Sequence, residues 1–212
     1  MPKKEKKNLG MTIIEVVVSI SIFVIAMAGF TLLFSKSWQM NSYTLAMGQA
    51  SADASRGLNL MVVYMRKARQ GDDGSYPILS ASDNDLVIFS DYDKDGITER
   101  LHFYLQNGQI KMGMTKPTGT MPKTYPSGDQ ETIVLVSDVM NTANDPVFSY
   151  YNNNYPADTV NNPMPVSSMN ISSVRLIKIF LKVNTDPSKI QKDIETQSFV
   201  ELRNLNDYQN IQ

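Results

Sequence analysis

Cysteine does not occur in the 212 residues, and histidine and tryptophan occur once each, as His102 and Trp38. Without thiols there is no disulfide, no cysteine nucleophile and no thiolate metal site. A single imidazole leaves no histidine cluster for a metal and no Ser-His-Asp set beyond chance. A glycine-rich phosphate loop is likewise missing. Net charge is almost absent, with 20 Lys and Arg against 21 Asp and Glu. That balance argues against a broad nucleic-acid-binding face, so no nucleic acid is expected among the partners.

What the chain does have is one long apolar run. Residues 13–34 carry a single charge, Glu15, and no proline. As a helix at about 1.5 Å per residue, the 22 positions reach about 33 Å, enough to cross a bilayer core. The polar residues inside it, Ser19, Ser21 and Thr31, are small and bond back to their own helix. Ahead of the run, residues 1–10 contain four lysines and one glutamate, an arm that the positive-inside tendency keeps in the cytoplasm. Trp38, just beyond the run, suits an interfacial anchor. The expectation is a single-pass protein of the inner membrane with its N-terminus inside and the remainder exported.

Glu15 stands out because a carboxylate in a membrane helix is costly unless it is wet or paired. It either stays at headgroup depth or meets a cation. Cleavage after Gly10 supplies one, since the new amine of Met11 lies four residues ahead of Glu15. Ala26-Met27-Ala28 offers a competing cut of the ordinary secretory kind, but Phe30, Leu32, Leu33 and Phe34 continue the apolar run past it.

Basic arm, Gly10, Met11, Thr12, two aliphatics, Glu15 and an unbroken apolar helix together resemble the N-terminus of type IV pilins and type II secretion pseudopilins. The resemblance implies that a prepilin peptidase cuts after Gly10 and methylates Met11. It implies that Glu15 then pairs with the amine of a neighbouring subunit during filament assembly. Met11 departs from the phenylalanine most common there. Losing the leader leaves 16 cationic residues against 20 anionic ones. Under this reading the chain is a structural subunit and not an enzyme. Its partners are other pilin or pseudopilin subunits, the peptidase and the membrane, and it ends in a periplasmic or extracellular filament. The rival reading is an exported binding or enzymatic domain on a membrane tether.

Beyond residue 34 the helix is expected to continue to about residue 70. Met47, Ala50, Ala54, Leu58, Met61, Met65 and Ala68 recur at three and four and form an apolar stripe. Gly48 and Gly57 weaken it locally, and Gly71 is the expected C-cap. Residues 71–212 then read as a β-rich domain with strands at 85–89, 100–105, 109–114, 132–136, 147–151, 173–183 and 198–203. Asn107-Gly108 makes a hairpin turn, and 115–130 and most of 141–170 are loops. The whole is α+β, a long helix packed on an antiparallel sheet. The strand segments also resemble those of the larger minor pseudopilins of the J type and of PilW-like minor pilins.

One loop carries metal-ligand spacing. Asp91, Asp93, Asp95 and Gly96 follow the D-x-D-x-D-G pattern of a calcium loop, with Glu99 as a further carboxylate. An EF-hand needs a glutamate where His102 stands, and helices where strands are expected. The alternatives are therefore a calcium site or an Asx-rich turn that needs no ion. His102 falls mid-strand, opposite in face to Leu101 and Phe103, a surface or edge position.

Overall fold

A computed structural model describes residues 10–184, 193–202 and 205. The chain divides between Ala46 and Met47 into two compact units. One helix, α1 (Ile13–Arg66), runs through both. In the first unit its residues lie open as far as Ser42, and the most apolar stretch is unburied along its whole length. This helix is long and apolar enough to span a membrane. Ser19, Ser21 and Thr31 donate to the carbonyls of Glu15, Val17 and Met27 at 2.7–2.8 Å, as their size predicts.

In the second unit the same helix has an inner face. Ala54, Gly57, Leu58, Met61, Val62 and Met65 are buried. Of the predicted stripe, Met47 and Ala50 are only half-buried and Ala68 is buried just past the helix end, while Gly57 and Val62 are additions. They pack on two antiparallel sheets. The larger is ordered β1 (Ile78–Ala81), β2 (Asp85–Ser90), β3 (Glu99–Gln106), β4 (Gln109–Thr115) and β5 (Glu131–Val136). The smaller consists of β6 (Phe148–Tyr151), β7 (Leu176–Val183) and β8 (Ile194–Glu201). This is the α+β arrangement read from the sequence.

Alternation decides the faces of the larger sheet. Leu86, Ile88, Leu101, Phe103, Ile110, Met112 and Met114 join the helix residues in one core, while Arg100, His102 and Tyr104 point the other way. The β3–β4 hairpin turns at Asn107 (φ 52°) and Gly108 (φ 69°), the left-handed pair that a two-residue turn requires. The two sheets are joined by hydrogen bonds as well as by apolar packing. Phe148 N–H donates to Asp83 O at 2.9 Å, and the buried Tyr150 hydroxyl donates to Ser82 O at 2.7 Å. Met140 N–H donates to Lys182 O at 2.7 Å.

Several boundaries differ from the sequence reading. Strand β1 was absent from it, because four residues with an irregular register against β2 show no alternation. Strand β8 begins at Ile194 and not near 198, since its polar half is held by pairing with β7 and not by burial. Position 203 of that expected strand lies outside the described residues. The helix stops at Arg66, and Gly71 is not its C-cap. Ala68 already bridges to Ser90 and Arg69 N–H donates to Phe89 O at 3.0 Å, so pairing with β2 takes over from the helix. Gly71 instead opens a tight turn, donating to Ser75 O at 3.0 Å.

The glycines of α1 differ in kind. A Cβ at Gly57 would collide with Val136 and with the carbonyl oxygen of Leu135, so β5 crosses the helix over this position. A Cβ at Gly48 would meet nothing within 4 Å. Gly57→Ala is therefore expected to destabilise the protein by about 1–3 kcal/mol, the usual cost of overpacking. Gly48→Ala is expected to stabilise it by up to ~1 kcal/mol through helix propensity. Denaturant unfolding of the two variants checks both signs.

Candidate functional site

Two places gather the residues that the sequence singled out. The first is the start of α1. Thr12 precedes the first helical residue, and Glu15 stands three positions later, the spacing of a capping box. Thr12 N–H and Thr12 Oγ1 both donate to Glu15 Oε2 at 2.9 Å. Glu15 thus has a local structural task that the sequence reading did not foresee: it satisfies an orphan donor at the helix start. Both bonds fall on one oxygen, and Oε1 makes no hydrogen bond among the described residues. Gly10 and Met11 lie just ahead, exposed and outside the helix.

The second place is the loop between β2 and β3. One carboxylate oxygen from each of Asp91, Asp93 and Glu99 lies within 4.8 Å of the others. Asp95, expected as a fourth member, stands outside this group. Its Oδ1 accepts from Ile97 N–H at 2.8 Å, an Asx turn that shapes the loop. Lys94 (φ 65°) and Gly96 (φ 88°) take the left-handed conformation that brings the chain back toward β3.

Each of the three carboxylates has one oxygen held by the protein. Asp91 Oδ2 accepts from Gly96 N–H at 3.3 Å and faces Arg69 Nη2 at 3.6 Å. Glu99 Oε2 accepts from Tyr92 N–H at 3.0 Å. Asp93 Oδ1 accepts from Asp95 N–H at 3.3 Å. The other oxygens differ. Asp93 Oδ2 is taken by Lys116 Nζ at 2.7 Å, whereas Asp91 Oδ1 and Glu99 Oε1 are buried with no partner among the described residues. Glu99 itself has no exposed surface. Burial pushes its carboxyl above the ordinary range; the Tyr92 N–H opposes this, and the charges of Asp93 and Asp95 reinforce it. The Lys116 bond holds the Asp93 carboxyl below its ordinary range.

Neither Lys116 nor Arg69 was assigned to this loop from the sequence. Lys116 follows β4, and Arg69 follows the helix, so only the fold brings them together. Arg69 also donates from Nε to Thr98 Oγ1 and from Nη2 to Gly96 O, both at 2.8 Å. It thereby fixes the loop's return strand to the end of α1.

Residues 116–130 fold over the outer face of the larger sheet and fasten the same region. The Tyr125 ring lies 4.9 Å from that of Phe89. Its hydroxyl donates to Thr98 O at 2.6 Å and accepts from Asp72 N–H at 3.1 Å, and burial pushes its ionisation up to about 12. His102 is neither a free surface residue nor at an edge. It lies in the middle strand, with Nε2 2.7 Å from Asp85 Oδ2 and Nδ1 3.0 Å from Asp129 Oδ2. Gly113 sits opposite His102 in the register, and a Cβ there would fall on the Asp129 carboxylate. The bare backbone at Gly113 is what lets Asp129 reach the ring. With both ring nitrogens turned to carboxylates, His102 serves as a clamp on the covering loop.

Asp72 closes the arrangement. Its Oδ2 accepts from Lys123 Nζ at 2.8 Å, with both side chains mostly buried, and from Thr98 N–H at 3.5 Å. Burial raises its carboxyl, but the bonds from Lys123 and Thr98 outweigh this and hold it below the ordinary value of 3.8. A depressed carboxyl stabilises the fold fully above that value and loses its contribution as pH falls through the lower folded one. Asp72→Asn is expected to cost about 1.5–3 kcal/mol at neutral pH, the scale of a charged hydrogen bond. The gap between the melting temperatures of wild type and variant should hold above pH 3.8 and close below it. Thermal unfolding across that range measures the gap.

Compared with protein-family models and with curated proteins, the chain matches none.

Proposed function

We propose that the chain is a structural subunit of a type IV filament, a minor pilin or pseudopilin. It is held in the inner membrane by α1 with its basic arm in the cytoplasm. A prepilin peptidase cuts it after Gly10 and methylates Met11, and the mature chain assembles with other pilin or pseudopilin subunits. Its task is cohesion and not catalysis.

The observation that carries this reading is the start of α1. A helix whose side chains lie open over residues 13–42 cannot remain in water. Covering each large apolar side chain is worth about 1.5–3 kcal/mol. Lipid covers them before assembly, and neighbouring helices cover them after it. The one charge in residues 13–34 of that surface is Glu15, five residues after a glycine at which cleavage would create an amine. The capping bonds leave Glu15 Oε1 for that amine on an adjacent, staggered copy. Local helix capping and assembly therefore use different oxygens of one carboxylate.

The rival, a tethered exported binding domain, is favoured by the carboxylate group of Asp91, Asp93 and Glu99. The two part at the N-terminus. Mass spectrometry of the mature protein is expected to find N-methylated Met11. A chain that keeps Met1, or one that begins at Gly29, sinks the filament reading.

Glu15→Gln separates the two tasks of the carboxylate, because an amide oxygen still accepts from Thr12 but carries no charge. The variant is expected to insert, to be cut and to fold as the wild type does. Cross-linking between its membrane helix and those of partner subunits is expected to fail. Removing one member of a charge pair in a low-dielectric setting costs about 3–5 kcal/mol. Cross-linking at the wild-type level would show that the carboxylate only caps the helix.

A further inference from the structure

We propose that the β2–β3 loop binds one calcium ion through Asp91, Asp93 and Glu99, and that Lys116 is a built-in competitor which the ion displaces from Asp93. This goes beyond the filament reading and does not depend on it.

A gathering of carboxylates is common on protein surfaces and by itself means little. Here a second observation points inward. Glu99 is fully buried, and its Oε1 has no hydrogen-bond partner among the described residues. Asp91 Oδ1 is buried and unpartnered in the same way. Leaving one such oxygen unsatisfied costs about 1–3 kcal/mol, more when it is charged. Two of them beside a third carboxylate fit a hard cation.

The protein also holds these oxygens ready. The tied oxygens, Asp91 Oδ2, Asp93 Oδ1 and Glu99 Oε2, are each fixed by a backbone N–H of the loop itself. Fixing one oxygen of a carboxylate orients the other. The 4.8 Å limit on the separations suits ligands on opposite sides of one ion at about 2.3–2.6 Å each, the calcium range. An all-oxygen set with no nitrogen or sulfur is a hard-cation site. Magnesium demands a tighter octahedron at about 2.0–2.1 Å and sheds its waters reluctantly, which a loop of this kind does not favour. Water on the exposed side of Asp93 completes the shell.

Lys116 is what makes the site conditional. Its ammonium sits 2.7 Å from Asp93 Oδ2 and 4.0 Å from Asp95 Oδ2, yet the side chain is 56 % exposed. A long, hydrated and exposed lysine gives up such a contact at little cost. Arg69 does not, because it is tied at once to Asp91, Gly96 and Thr98. Calcium therefore exchanges with Lys116 while Arg69 keeps its place. The exchange frees the start of the 116–130 loop from the β2–β3 loop. The ion thus releases two loops that the Lys116–Asp93 contact ties together.

Calorimetric titration of the detergent-solubilised full chain, freed of metal with a chelator, tests this. Calcium is expected to bind one to one with a dissociation constant of about 0.1–1 mM, the range of extracellular modules. Asp93→Asn and Glu99→Gln should each weaken binding about tenfold or more. Asp95→Asn, outside the group, should weaken it far less than either. Lys116→Met should tighten binding several-fold, and magnesium should bind more weakly than calcium. Circular dichroism confirms that each variant is folded, and Glu99→Gln keeps the bond from Tyr92. No heat of binding at about 10 mM calcium, well above that range, would overturn the site. So would binding that survives Glu99→Gln in a folded variant. Unchanged affinity in Lys116→Met would overturn the competitor role.

Discussion

The structure of the second unit depends on one packing contact, the inner stripe of α1 against the larger sheet. The helix supplies small residues where β5 crosses and large ones toward its end. Gly57 lets the Leu135 carbonyl and the Val136 side chain come down onto the helix axis. Met61 and Met65 then fill the space beneath the sheet, where their unbranched side chains adapt to an uneven surface. The smaller sheet joins the same core through Ile177, Ile179, Leu181 and Val183 of β7, and the turns at 82–84 and 138–141 tie it to the larger one.

A second layer is built on the opposite face, and it is polar. Residues 116–130 lie over β2 and β3, held by Tyr125 on Phe89, Asp129 on His102 and Lys123 on Asp72. Gly128 O accepts from both Arg100 and Thr115. Tyr125 and Asp72 also bond to Thr98, which precedes Glu99 of the acidic loop. The carboxylates are therefore held in a frame with contributions from the end of the helix, the first strands and the covering loop. A protein without disulfides has few other ways to fix so many loops around one point.

The two halves of α1 show what one element can do in two surroundings. Before residue 43 its side chains are open on every side, and beyond Met47 one face is closed by the sheet. No break in the helix separates the two regimes. Only the composition of the faces changes, from apolar all round to a stripe bounded by Gln49, Asp53 and Arg56. Under the filament reading the first half exchanges lipid for neighbouring helices while the second keeps its own sheet throughout.

The sequence by itself determined the elements whose signal is local. The apolar run, the stripe from Ala54 to Ala68, the Asn107-Gly108 hairpin and the alternation of β3 and β4 all follow from periodicity or from one turn type. The spacing of Asp91, Asp93 and Glu99 was legible too, because the three carboxylates lie within nine residues of chain. Tertiary structure decided whatever depends on distant partners. Strand β1 and the first half of β8 are held by pairing and carry no apolar alternation. Asp95 stands outside the group, with its Oδ1 bonded to Ile97 N–H. Lys116 and Arg69 reach the loop from other elements, and Asp85 and Asp129 reach His102 across strands that only the sheet brings side by side. Long-range electrostatics of this kind leaves no period in a sequence, since a charged residue on a loop looks the same with a partner or without one.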